Sequence, residues 1–525
     1  MARRLVAILF LGLIGLPPAH PGRAEELAER IEKVLKEPGY QHGRWGLLIV
    51  DRQTDEVLYE RAPDERFRPA SVTKLFSTAA ALIDLGPDFR FTTPVHRRGE
   101  VDESGVLKGD LILVASGDLS LGGRTGPDGS MLYTDSDHSY AGGHLKAKLV
   151  EADPRAGLDS LARQIQAAGI REVRGEVIID DRLFPPAPST GSGPARVTPI
   201  ILNDNIIDVV LTPGAEPGEP ADCRLVPETG YVAVDNQVQT AAEGTEPTVR
   251  VESAGPRGIV VRGRLPVGHE PVVKIHEVED PASFARAVFI EVLRSYGVRV
   301  AASPLDHNDV EKLPPSSEVA ELPRVAEYIS PPFREYLRVI LKVSQNLHAS
   351  ALPVLLGVRQ GRPTLAAGLR REGELLRSLG LDVDTISFGG GAGGSNADLV
   401  TPRATVQLLK AMAARPDFEA YEAALPVLGR DGTLAKAVGP DSPARGHVRA
   451  KTGTYWVESG LTGRAVMTSK ALAGYMETAS SRKLIFAFFL NDVPLDAPSD
   501  DVSDATAAAG RLLGRLCEVV YDDAR

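Results

Sequence analysis

The chain has 525 residues, 43% of them hydrophobic and 25% charged, an ordinary globular composition. At roughly 100–200 residues per domain, that length suits two to four domains with real cores. A formal net charge of -11, with no Lys/Arg-rich block, excludes nucleic acid as a partner.

Residues 1–24 read as a secretory signal peptide. Arg3 and Arg4 precede an apolar run, Leu5 to Leu16, and Gly22-Arg23-Ala24 offers small residues for cleavage. The run falls short of the ~20 residues that span a bilayer, so export to the periplasm or cell envelope is expected rather than anchoring. Cys223 and Cys517 lie far apart, and nothing in their spacing demands a bridge. No Cys/His pattern resembles a zinc site, so neither a metal nor another cofactor is expected.

Helical periodicity covers Glu25 to Lys36. Arg44–Arg61 reads as a hairpin turning near Gln53-Thr54-Asp55. A run of small and apolar helix formers starts at Ser71, behind Pro69, and stops at Gly86-Pro87. Phe91 to Pro314 has another texture, with short strand-like runs at Leu111–Val114, Glu176–Ile179, Ile206–Leu211 and Gly258–Val261. Helices are expected there over Gly157–Ala168 and Ala282–Tyr296. Gly122–Gly143 reads as an exposed loop, with His138 as a solvated histidine.

Helical patterns return at Arg334–Leu341, Leu347–Leu356, Thr364–Leu379 and Thr401–Ala414. Strand-like Arg464–Met467 and Leu484–Leu490 follow, and a last amphipathic helix spans Asp504–Val520. The pattern predicts an α/β fold whose sheet is assembled from both ends of the chain. Residues 25–95 and 320–525 would form it, and 96–319 would be an inserted, mostly-β region of one or two domains.

Three short motifs carry chemistry. In Ser71-Val72-Thr73-Lys74, positions i and i+3 share a helix face, so the Lys74 amine can reach the Ser71 hydroxyl. Serine is a weak nucleophile without a base, and lysine is a base only when burial or a second cation displaces its proton. In Ser344-Gln345-Asn346, the hydroxyl can relay a proton and the amide can hold a peptide group, although Ser-x-Asn is also a common helix cap. In Lys451-Thr452-Gly453-Thr454, an edge strand could offer a cation for a carboxylate, with Gly453 admitting substrate backbone. In this order the three form the signature of penicillin-binding proteins and serine β-lactamases.

The chain resembles the low-molecular-mass penicillin-binding proteins that act as D-alanyl-D-alanine carboxypeptidases and endopeptidases and carry a large insertion. Besides the three motifs, the resemblance rests on Leu85–Thr93, Gly109-Asp110-Leu111, Ser116-Gly117-Asp118, Asp180–Phe184, Asp431–Leu434 and Leu472-Ala473-Gly474-Tyr475. It implies a penicillin-binding/β-lactamase-like domain, an antiparallel sheet flanked by helices. Its implied substrates are peptidoglycan stem peptides ending in D-Ala-D-Ala, and its implied inhibitors are β-lactam antibiotics. By the same resemblance Ser71, Lys74 and Ser344 are catalytic. Asn346, Lys451, Thr452, Gly453 and Thr454 bind substrate, and backbone N–H groups of Ser71 and Thr454 form the oxyanion hole.

The chain departs from the family in places. An Asp-Gly-Ser-Gly-Leu-Ser-type loop is replaced by Gly390–Ser395, with Asn396 where an Arg commonly follows. His348 stands where relatives have an aromatic residue and reads as a packing substitute, and Tyr455–Ser469 is longer. Two other readings stay open: a non-catalytic peptidoglycan-binding protein that keeps the fold, and an esterase or β-lactamase on the same scaffold.

Overall fold

A computed structural model describes residues 23–142, 145–498 and 502–523. The expected signal peptide lies almost wholly outside these residues.

Both ends of the chain meet in one antiparallel sheet. Its order is Val448–Glu458, Arg464–Glu477, Lys483–Asn491, Arg44–Asp51, Val57–Arg61, with Val493–Pro498 also paired to the second strand. Strand Arg44–Asp51 runs against Lys483–Asn491 along its whole length, from Arg44 opposite Asn491 to Asp51 opposite Leu484. Both central strands read as continuous apolar runs because both sheet faces are covered. Leu47, Ile49, Phe486 and Phe488 face the terminal helices Arg23–Leu35 and Ser503–Asp523. Leu48, Val50, Ile485 and Phe489 face the helical layer on the other side.

Helix Thr73–Leu85 sits in the middle of that layer, and every residue from Thr73 to Leu82 is buried. A helix buried all round needs small and apolar residues on every face, which is the composition that marked it in the sequence. Lys74 is therefore carried into the core, not out to solvent.

The insertion has its own core, built on Leu111, Ile165, Ile179, Val209, Val261 and Phe284. One sheet contains Thr92–Val101, Val106–Val114, Val177–Asp180 and Arg324–Ile329. Two three-stranded sheets centre on Ile206–Thr212 and Gly258–Pro266, and helices Ala156–Ala167 and Pro281–Ser295 pack on the first sheet and on each other. Because Arg324–Ile329 pairs with Thr92–Val101, the chain leaves this region later than the expected boundary at 319.

The Gly122–Gly143 segment is not a solvated loop in its second half. Asp137, His138 and Ser139 are buried, together with Arg124. The Arg124 guanidinium bonds both oxygens of Asp137, at 2.8 and 3.0 Å, and also reaches Asp204. His138 bridges Asp204 at 3.0 Å and Asp208 at 2.9 Å. Buried charges persist only when so paired, and the partners lie too far along the chain for a local reading to find. Asp137, His138 and Asp204 have the spacing of metal ligands, but the guanidinium already lies among them. Cys223 and Cys517 are both free thiols. No described helix is long and apolar enough to cross a membrane.

Candidate active site

Ser71 lies in a 3-10 turn, Ala70–Val72, that leads straight into helix Thr73–Leu85. The approach to this turn is pinned by the sheet. Arg68 N donates to Asn491 Oδ1 at 2.7 Å, and Arg68 O accepts from Asn491 Nδ2 at 3.1 Å and Ser469 Oγ at 2.8 Å.

Lys74, one turn on, brings its Nζ to 2.9 Å from Ser71 Oγ, 2.7 Å from Asn346 Oδ1 and 2.8 Å from the Ala392 carbonyl oxygen. The amine is fully buried, and its pKa is driven well below the ordinary lysine value. Burial is the main cause and the nearby Lys451 charge adds to it, while Asp398 works in the other direction. A neutral amine has two N–H bonds and one lone pair. Asn346 and Ala392 take the two donors, which leaves the lone pair for the Ser71 proton.

Ser344 has a positive φ of 63°, and helix Asn346–Arg359 begins two residues later. Gln345, not Ser344, caps this helix, its side chain accepting from His348 N at 2.9 Å. The Ser344 and Asn346 side chains are thus spared for the site. The insertion braces both residues: Tyr140 OH lies 3.0 Å from the Ser344 carbonyl, and Asn346 Nδ2 donates to Ser192 O and Oγ at 3.1 and 3.0 Å.

Lys451, Thr452, Gly453 and Thr454 lie on the edge strand Val448–Glu458, as the motif predicts. Lys451 is fully buried, with Nζ donating to the Thr452 carbonyl at 2.9 Å, and burial brings its pKa down to about 7. Thr452 Oγ1 lies 2.8 Å from Thr433 Oγ1. Gly453 is needed for the fold itself. A Cβ there would fall 2.3 Å from Pro69 O, so its bareness admits the chain entering the Ser71 turn.

A cavity of about 650 Å³ opens between these elements, lined by Ser71, Ser344, Asn346, Thr452, Thr454 and Lys470 among others. Lys74 and Lys451 lie behind this wall. Sequence reasoning missed several contributors. The Gly-rich loop supplies Ala392 O, and it fits so close because Gly393, at φ 93°, would place a Cβ 1.9 Å from Ala70 O. Asp398 holds that loop by accepting from Gly389 N at 2.8 Å and Ser395 N at 2.9 Å, and its pKa is raised to about 6, chiefly by burial. An acid missing at Gly390 is thus present a little further on. His348 is buried, but as a polar tie, its Nε2 lying 2.8 Å from Asp204 Oδ1 of the insertion.

A buried amine within reach of a serine hydroxyl, an Asn on that amine, and a Lys-Thr-Gly edge strand define a serine hydrolase of the penicillin-binding class. The comparisons agree with this class. The model of the D-Ala-D-Ala carboxypeptidase 3 (S13) family matches residues 27–512, and the chain belongs to that family. It is a serine-type carboxypeptidase. It is 32% identical over 496 residues to a D-alanyl-D-alanine carboxypeptidase of Actinomadura sp. (strain R39), covering 87% of this chain and 82% of that one. It is 23% identical over 464 residues to the D-alanyl-D-alanine carboxypeptidase DacB of Haemophilus influenzae, covering 85% of each. The fold also matches the crystal structure of penicillin binding protein 4 from H. influenzae, with a TM-score of 0.67 at 20% identity, over 95% of this chain and 99% of that one.

Proposed function

We propose that the chain removes the terminal D-Ala from peptidoglycan stem peptides, and opens D-Ala cross-links, through an acyl-enzyme on Ser71. The Ser71–Lys74 geometry carries this reading: 2.9 Å separates Oγ and Nζ, burial favours the neutral amine, and Asn346 and Ala392 accept from its N–H bonds. Lys74 takes the Ser71 proton as Oγ bonds to the substrate carbonyl carbon. Backbone N–H groups of Ser71 and Thr454 receive the oxyanion, a contribution of about 3–4 kcal/mol per donor. The C–N bond then breaks, and Ser344 passes the proton to the leaving D-Ala amine. Water attacks the ester, releases the shortened peptide and returns the proton to Ser71. Asn346 holds the acyl-side amide, while Thr452 engages the C-terminal side with the Lys451 amine behind it. A β-lactam enters by the same route and stays bound as a slowly hydrolysed adduct. The chain acts after export, in the periplasm or cell envelope.

The test is covalent labelling by a fluorescent penicillin, run beside a Ser71→Ala variant and a D-Ala release assay. Labelling and release by the wild type alone are expected. Failure of the wild type to label at saturating penicillin would remove the reading.

A further inference from the structure

Lys470 is a second lysine of the cavity, and none of the three motifs contains it. It stands on strand Arg464–Glu477 directly opposite Thr454, so the two side chains leave the same face of the sheet. Its Nζ lies 3.0 Å from Thr454 Oγ1 and 2.9 Å from the Thr506 carbonyl oxygen of the last helix. Lys470 is only 8% exposed, yet it lines the cavity with Thr452 and Thr454.

Two physical consequences follow. Thr454 Oγ1, accepting from an ammonium, must turn its own proton elsewhere, and the cavity is where that proton can donate. The amine is bonded to two neutral oxygens, and among the described residues no carboxylate pairs with it; burial lowers its pKa to about 8, which still leaves it an ammonium at neutral pH. A buried cation facing a cavity without a counter-ion favours an anionic occupant. On the proposed reaction, the anionic group nearest the scissile bond on the leaving side is the free carboxylate of the terminal D-Ala.

We propose that Lys470 is a specificity-determining residue that orients the Thr454 hydroxyl toward the substrate's C-terminal carboxylate and places a positive charge behind it. This rests on the carboxypeptidase reading for its natural ligand, but not for its test. Lys470 acts through Thr454, so its loss weakens binding of the carboxylate and leaves the Ser71–Lys74 step alone.

The experiment compares wild type, Lys470→Met and Lys470→Arg on a peptide ending in D-Ala-D-Ala and on the same peptide with a C-terminal amide. The rate of acylation by benzylpenicillin is compared in parallel with that by its methyl ester. The Met variant is expected to raise KM for the free acid about tenfold, with kcat within about twofold, the size of one lost charge-assisted contact. Acylation by the penicillin acid should slow to match, while the amide and the ester change little and the Arg variant recovers most of the loss. Equal loss on acid and neutral compounds, or no loss on the acid, would overturn the proposal. If the wild type released no D-Ala, the proposed function would fall, and the penicillin pair would still decide the role of Lys470.

Discussion

At the level of single residues, the site is organised around two buried amines that must not both be charged. Lys451 depresses the pKa of Lys74, and burial has already brought its own down to about 7. Replacing Lys451 with Met removes a positive charge, so Lys74 binds its proton more tightly and is neutral over less of the pH range. The acid limb of the penicillin acylation rate should therefore move to higher pH, with a larger loss at pH 6 than at pH 8. Stopped-flow acylation across that range reads it, since moving the limb by about one pH unit slows the reaction on its acid side by about tenfold. A uniform loss at every pH would show that Lys451 only binds substrate. The motif residues were legible because their chemistry is fixed by side-chain type and short spacing. Ala392 was not, since it contributes a backbone carbonyl that any residue has, and Ser192 and Lys470 come from elements whose proximity is set by folding alone.

Elements were legible where periodicity was strong. The hairpin, the Ser71 helix, the long helices after Phe333 and strand Lys483–Asn491 lie where the pattern put them, while the strand expected over Arg464–Met467 runs on to Glu477. The pattern failed at Gly122–Gly143, whose polar composition resembles a solvated loop but whose charges satisfy one another inside. Helix Leu365–Ser378 holds a similar surprise without the compensation. Glu372 is 1% exposed, makes no hydrogen bond through either oxygen, and has its pKa raised to about 8, mainly by burial. The unfolded chain ionises this group near its ordinary value, 4.5, whereas the folded chain keeps it protonated. Its contribution is therefore fully present below about pH 4.5 and is lost as pH rises toward 8. A Glu372→Met variant should thus gain stability over the wild type as pH rises, by on the order of a few kcal/mol at pH 8. Denaturant unfolding at pH 5 and pH 8 measures it, and a gain independent of pH would refute the assignment.

On the scale of the whole molecule, the insertion is joined to the sheet-and-helix body through a buried polar bridge. Asp204 receives Arg124 and His138 from the insertion and His348 from the helix that begins at Asn346. Asp204→Asn leaves the Arg124 guanidinium and the two imidazoles without the carboxylate they share, a change that costs about 3–5 kcal/mol when a buried pair loses one partner. The same variant should acylate more slowly, because His348 and Asn346 share the first turn of one helix. Unfolding midpoints and penicillin labelling rates test both effects, and a stable variant with undiminished labelling would show the bridge to be incidental. Periodicity foresaw a sheet built from both ends, but not this bridge, which joins residues more than a hundred positions apart.

That sheet also sets an order in time. Ser71 and Lys74 are synthesised long before strand Lys483–Asn491, whose Asn491 lies 423 positions after Arg68 and pins the approach to Ser71. Lys451, which helps to keep Lys74 neutral, also comes late. Long-range pairings of this kind form last and slowly. A nascent chain thus carries its nucleophile unarmed, and hydrolytic power arrives only when those later strands have folded onto it.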